Sequence, residues 1–89
     1  MIMFYVYVLK NPRKDVFYYG YTVNLKRRFM EHQNLLKHKD WVLIYYEAYR
    51  SEEDARKRER MLKCYGAARG HLKVRIQKSI NFLDVESAG

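Results

Sequence analysis

The chain has 89 residues, 48% of them hydrophobic and 16% aromatic, which is enough for one domain with a modest core and too few for two. With 18 Lys and Arg against 10 Asp and Glu, the formal net charge is +8, so the expected partner is a polyanion, nucleic acid first and an anionic membrane surface second. The plentiful aromatic and β-branched residues exclude a disordered chain, the single Cys64 excludes an internal disulfide, and no run approaches the roughly 20 apolar residues that span a membrane.

Residues 2–9 (IMFYVYVL) are β-branched and aromatic throughout and predict a largely buried strand. They lack the basic leader and small-residue cleavage site of a signal peptide. Asn11 to Asp15 is turn chemistry around Pro12, and residues 16–22 (VFYYGYT) predict a second strand, completing a β-hairpin. Gly20 within it signals a bulge or a close backbone approach. With Pro12 and Arg13 at the tip, Asn11 faces Lys14 and Tyr7 faces Tyr18 on one side of the sheet.

Thr22 or Asn24 can cap a helix that runs to about Leu36, with Leu25, Phe29, His32 and Leu36 on one face. Arg28 borders that stripe, and Lys26, Arg27 and Lys37 lie away from it. Residues 41–49 (WVLIYYEAY) predict a third strand. Ser51 then caps a helix with acids in its first turn, running through Lys63 to a terminator at Gly66. A last helix is expected from about Ala68 to Asn81, with Leu72, Ile76, Ile80 and then Leu83 inward. The order β-β-α-β-α-α predicts an α/β (α+β) domain over residues 1–83: a small three-stranded, mainly antiparallel sheet flanked by helices. Residues 84–89 are expected to fray. Cys64 reads as a reduced thiol, which fits the cytoplasm.

Several polar residues stand where burial is expected. Glu59 lies on the inward face of its helix near Ala55 and Leu62, and a carboxylate there needs a cation, hydrogen bonds or a metal ion. The ordinary reading is an i,i+4 pair with Lys63, or a pair with a neighbouring arginine. Arg28 can snorkel past Phe29 or clamp a phosphate with two N–H groups. His32 suits a core histidine as well as a catalyst. The nine tyrosines can be core residues with hydroxyls at the rim, a stacking platform for bases, or phenols that touch a reacting phosphate.

Taken in order, Tyr5-Val6-Tyr7, then Tyr18-Tyr19-Gly20, then Asn24 to His32, and finally Ala55 to Lys63 resemble the core of the GIY-YIG endonuclease superfamily, in its small stand-alone form. That family carries two tripeptides on adjacent strands, a helix with an arginine and a histidine, and a later helix with a metal-binding glutamate. The resemblance extends from Tyr5 to about Lys78. The first tripeptide departs from Gly-Ile-Tyr and the second from Tyr-Ile-Gly. Asn81 is the counterpart offered for an asparagine that many members place after the metal helix.

The resemblance implies an endonuclease that hydrolyses DNA phosphodiesters with one divalent metal, Mg²⁺ or Mn²⁺, in repair or recombination, and that is structure-specific or weakly specific. The catalytic residues it implies are Tyr7, Tyr18, Arg28, His32 and Glu59, with Glu59 also holding the metal. Arg13, Lys14, Gly20, Arg27, Arg56 and Arg58 are the expected nucleic-acid contacts, and Lys57 and Arg60 share the same helix. Gly20 would keep the groove above the tyrosines open. A binding module of the same fold that no longer cleaves is the alternative.

Overall fold

A computed structural model describes residues 1–35 and 41–81, with the side chains of residues 32–35 outside that description. Strand β1 (Phe4–Asn11) is the middle of a three-stranded antiparallel sheet, flanked by β2 (Val16–Thr22) and β3 (Val42–Tyr49) in the order β2-β1-β3. A central strand has neighbours on both edges and layers on both faces, which is why β1 is buried without interruption from Val6 to Asn11. The fold is the α+β arrangement expected, in the order β-β-α-β-α-α.

The hairpin differs from expectation in register. Tyr7 pairs with Gly20, and Tyr18 pairs with Leu9, a shift of two residues from the predicted pairing. Proline accounts for the shift. A two-residue hairpin needs a positive φ at its first central position, and the Pro12 ring locks φ near about −65°. The chain instead uses a four-residue loop, residues 12–15. Asn11 Oδ1 accepts the Arg13 N–H at 3.0 Å, and the Asp15 N–H donates to the Asn11 carbonyl at 3.1 Å. Asp15 closes the loop at φ 51°, a left-handed conformation that aspartate tolerates better than most side chains. An even shift preserves the sheet face, so Tyr7 and Tyr18 remain on the same side.

Helix α1 (Leu25–Leu35) is capped by Asn24, whose Oδ1 accepts the Arg27 N–H at 3.0 Å. Thr22 shapes the entry, its hydroxyl accepting the Asn24 N–H at 3.1 Å. Helix α2 (Glu52–Cys64) begins at Ser51, whose Oγ accepts the Asp54 N–H, and carries Glu52, Glu53 and Asp54 against the positive end of its dipole.

Gly66 is not the terminator of α2. It is the first residue of α3 (Gly66–Arg75), and only Tyr65, in extended conformation, separates the two helices. The C-terminal carbonyls of α2 are satisfied differently: Arg69 reaches back from α3 and donates to Leu62 O at 2.8 Å and Lys63 O at 2.9 Å. The last helix also starts earlier than expected and breaks at Ile76 before a short helical stretch over residues 77–81. The expected inward positions Leu36 and Leu83, the outward Lys37 and the tail 84–89 lie outside the described residues.

Two layers result. Val6, Val8 and Tyr19 face α2 and α3 and form the core with Ala55, Leu62, Leu72 and Ile76. Fully burying a side chain such as Leu62 stabilises by about 1.5–3 kcal/mol. By alternation, Tyr5, Tyr7 and Leu9 of β1 point to the opposite face, together with Tyr18 and Gly20 of β2. No described helix is long and apolar enough to cross a membrane.

Candidate active site

Tyr7 is the centre of the second face and is only 1% exposed. In its row across the sheet, Gly20 stands on the β2 side and Tyr46 on the β3 side. The ring leans over Gly20. A Cβ built there would overlap Cζ and Oη of Tyr7, so the glycine is what gives the phenol its place. Gly20 was expected to keep a groove open for substrate; the space it leaves is filled by Tyr7 itself. The Tyr18 ring, diagonal to Tyr7 in the true register, lies at 6.1 Å between centroids and 36° between planes.

Arg28 reaches this pair from the first turn of α1. It hydrogen-bonds the Tyr7 phenol and also meets Glu31, with Nη1 at 3.4 Å from Oε2. Burial pushes the Tyr7 phenol up to about 12; the Arg28 hydrogen bond and charge oppose that shift, and Tyr18 adds to it. The guanidinium in turn is held more firmly protonated, chiefly by its hydrogen bond to Tyr7. Tyr7, Tyr18 and Arg28 thus come together from β1, β2 and α1. His32 follows Arg28 by one turn of α1, and its side chain lies outside the described residues.

Glu59 approaches from α2. Its side chain is 19% exposed, and Oε2 sits 3.4 Å from Lys63 Nζ in the i,i+4 pair that helix geometry allows. The same Lys63 ammonium lies 6.0 Å from the centre of the Tyr18 ring, so Lys63 joins the carboxylate to the tyrosine pair. The pair with Glu59 is one of the readings expected for that carboxylate, whereas the approach of Lys63 to Tyr18 was not expected. The only signal for Lys63 was its four-residue spacing to Glu59, which reads equally as an ordinary surface pair.

The donor set bears on the metal. Among the described residues, no three His, Cys, Asp or Glu side chains gather to form an all-protein cage. One half-buried carboxylate suits a hydrated Mg²⁺, which commonly keeps several waters and one or two carboxylates. It does not suit an ion that demands three or four protein ligands. Glu59 is the residue that would hold such an ion, in place of the Lys63 ammonium.

The expected nucleic-acid contacts separate into groups. Arg13 and Lys14 are exposed on the hairpin loop. Arg27 is exposed on α1 and pairs with Glu31 at 3.6 Å. Arg56 pairs with Glu52 and stacks its guanidinium 4.4 Å from the Tyr21 ring centre, while the Tyr21 hydroxyl donates to Glu52. Arg58 does not face solvent as expected. It is committed to Glu47 on the core side of β3, with Nε at 3.1 Å from Oε1 and Nη2 at 3.1 Å from Oε2. The Tyr45 and Tyr49 hydroxyls donate to the same carboxylate. Burial would raise the Glu47 pKa, but the bonds from Arg58, Tyr49 and Tyr45 outweigh it and hold the carboxyl below its ordinary value. Asn81 lines a cleft with Lys10 and Phe17, on the face away from Tyr7, and does not join the tyrosine cluster.

Tyr46 is the other residue missed. It is exposed, stands directly across from Tyr7, and packs edge-on against Tyr5 with centroids 6.0 Å apart. Its exposure depended on which strand lay beside β1, which the local pattern does not state.

Comparison with known proteins gives one match. A family model described as the GIY-YIG catalytic domain covers residues 3–70. No curated protein and no solved structure matches the chain.

Proposed function

Because this chain belongs to the GIY-YIG family, whose members are nucleases that act on nucleic acid, we propose that it is a metal-dependent endonuclease that hydrolyses DNA phosphodiesters. The observation that carries this reading is the convergence of Tyr7, Tyr18 and Arg28 from three elements into one hydrogen-bonded and ring-packed cluster. A packed core has no need for an arginine on a buried phenol. A phosphate site does, because a guanidinium donates to two non-bridging oxygens at once.

In this reading Arg28 binds the scissile phosphate and stabilises its charge as it builds. Tyr18 hydrogen-bonds the phosphate or the attacking water. Tyr7 orients that water through Oη. With the phenol near about 12, roughly one molecule in 10⁵ is ionised at neutral pH, so orientation is its main part and proton acceptance belongs to the ionised fraction. Glu59 would hold one hydrated Mg²⁺ or Mn²⁺, whose chemistry when bound is to neutralise charge on the phosphate and the leaving oxygen. His32 relays a proton or binds phosphate. Exposed Arg13, Lys14, Arg27 and Arg56 contact the backbone and position it without reading sequence. The reading places the protein in the cytoplasm, in DNA repair or recombination.

A second reading, a binding module that no longer cleaves, draws on the Lys63 ammonium that now partners Glu59. Incubation with labelled duplex, branched, flapped and single-stranded DNA and RNA, in Mg²⁺, Mn²⁺ or chelator, separates the two. The nuclease reading expects metal-dependent cleavage that falls by about 100-fold or more in Arg28→Ala and Glu59→Ala. Wild-type rates in both variants would overturn the assignment. Salt-sensitive binding without cleavage under any condition would establish the module.

A further inference from the structure

The sheet has a second polar locus, on the face away from Tyr7. Phe17 and Tyr18 are consecutive residues of β2, so their side chains point to opposite faces. Tyr18 joins the cluster described above. Phe17 forms part of a cleft of about 430 Å³ between the hairpin and the C-terminal helical segments, within the range of small-ligand sites.

The cleft gathers charge in an unusual way. Lys10 pairs across the strands with Phe17, and its side chain is only 5% exposed. Its Nζ lies 5.9 Å from the Phe17 ring centre and 3.6 Å from Asp15 Oδ1. Asp15 stands at the rim, 83% exposed, held there by its left-handed backbone. From α3, Lys73 brings a second ammonium to 4.3 Å from the same ring. One aromatic ring therefore lies near two cations, and among the described residues the cleft holds the Asp15 carboxylate. Among the described residues, Lys73 makes no ion pair. Gln77 and Asn81 follow Lys73 at intervals of four residues and line the same cleft with amide donors.

Two ammonium groups drawn to one ring repel each other, and the effective dielectric beside a buried lysine is lower than that of water. Asp15 offsets one of these charges. An anion between Lys73 and the two amides would offset the other, and it would find three donor-bearing side chains lining one cleft. The Phe17 ring, Val74 and Ile80 add apolar surface to the lining, with Val74 exposed at its outer side. This combination suits a compact, strongly hydrogen-bonding anion better than a neutral or apolar ligand.

We propose that this cleft is a second phosphate-binding site, served by Lys73, Gln77 and Asn81, with Lys10 buried beside the Phe17 ring and Asp15 at the rim. The formal charge of +8 favours a nucleic-acid strand as the source of the phosphate over a free nucleotide. Since β2 is an edge strand, a nucleic acid seated at both Tyr18 and Lys73 crosses that edge of the sheet. The site stands on its own residues and holds whether or not Tyr7 and Glu59 support cleavage.

The test is an amide-resolved NMR titration of the whole chain, with a deoxynucleoside 5′-monophosphate in one arm and a short single-stranded oligonucleotide in the other. Resonances of Lys73, Gln77 and Asn81 are expected to shift in saturable fashion in at least one arm. Response to the oligonucleotide alone assigns a strand phosphate, and response to the mononucleotide alone assigns a free one. Lys73→Gln and Gln77→Glu sit at exposed positions and are expected to fold with unchanged spectra elsewhere. Both should abolish the cleft shifts, and Lys73→Gln should make the salt dependence of oligonucleotide binding shallower by about one counterion. No shift at the cleft in either arm would overturn the proposal. So would an unaltered titration and salt slope in Lys73→Gln.

Discussion

Gly20 stands directly across the sheet from Tyr7 and gives up its side-chain space to the Tyr7 ring. The nearest atoms a Cβ would meet are Cζ and Oη of Tyr7, which is buried and cannot simply swing aside. Gly20→Ala is therefore expected to displace the phenol and to destabilise the domain by about 1–3 kcal/mol, the usual cost of overpacking a close-packed site. On the proposed nuclease reading, cleavage should fall with it, because the displaced atom is the one assigned there to orient water. Denaturant midpoints for Gly20→Ala, Tyr7→Ala and the double variant check the cause. Strong coupling between the two substitutions is expected, and additive effects would refute the steric account.

Arg28 opposes the effect of burial on Tyr7, so its removal should move the phenol in a known direction. In Arg28→Met the Tyr7 ionisation is expected to lie higher than in wild type. Site-resolved NMR of tyrosine Cζ resonances reads this directly. The same shift has a stability consequence. A group whose folded pKa is raised contributes stability that is full below its unfolded value, near about 10, and is lost as pH climbs through the folded value. Wild-type protein should therefore lose on the order of 1–3 kcal/mol between about pH 10 and pH 12, a loss that Tyr7→Phe reduces. If the ionised phenol accepts the proton in catalysis, the cleavage rate should rise with pH through the neutral range. A flat profile in wild type would confine Tyr7 to orientation.

What could be read in the sequence follows from the range of each interaction. The apolar run at 2–9, the Ser51 cap and the basic turns of α2 depend on neighbours a few residues apart, and these elements appear near where the pattern puts them, the first strand being displaced two residues to Phe4–Asn11. The register of the hairpin was also local, and it was misread by leaving Pro12 in a tip that its φ forbids. The end of α2 was harder. Gly66 looks like a cap, but the carbonyls are closed by Arg69, a side chain from the next helix. Tyr45, Glu47 and Tyr49 share one face by alternation, so their grouping was legible, while the arrival of Arg58 depended on how α2 packs over β3. At the candidate site, Tyr7, Tyr18 and Arg28 were picked out by motif and the Glu59–Lys63 pair by helix spacing, whereas the approach of Lys63 to Tyr18 and the exposure of Tyr46 come from packing.

The Glu47 cluster makes the domain sensitive to acid. The Glu47 carboxyl is held below its ordinary value by Arg58, Tyr49 and Tyr45 against the cost of burial. A depressed folded pKa gives stability that is present above the unfolded value, near about 4.3, and is lost as pH falls through the folded value. Glu47→Gln removes the charge and leaves a half-buried Arg58 without its carboxylate, at an expected cost of about 3 kcal/mol near neutral pH. The deficit relative to wild type should shrink below about pH 4, as wild type also loses the charge. Thermal melts of both proteins across that range test the sign, and a constant difference at all pH values would show that Glu47 titrates normally.

Arg69 ties α3 to the end of α2, and the connection through Tyr65 is only one residue long. Two charge-assisted bonds to otherwise open carbonyls make this one side chain a cap for the helix that carries Glu59 and Lys63. Arg69→Met keeps much of the apolar stem and removes both bonds. It is expected to destabilise the domain by about 1.5–3 kcal/mol and to loosen the last turn of α2 first. Hydrogen exchange locates that effect: amides of Leu62 to Tyr65 should lose protection while those of Val6 and Val8, in the centre of the sheet, keep theirs until global unfolding. Equal loss of protection in both regions would mean that Arg69 supports the whole domain rather than this helix end. A local loss would instead place the Glu59–Lys63 pair on a turn whose order is set from α3.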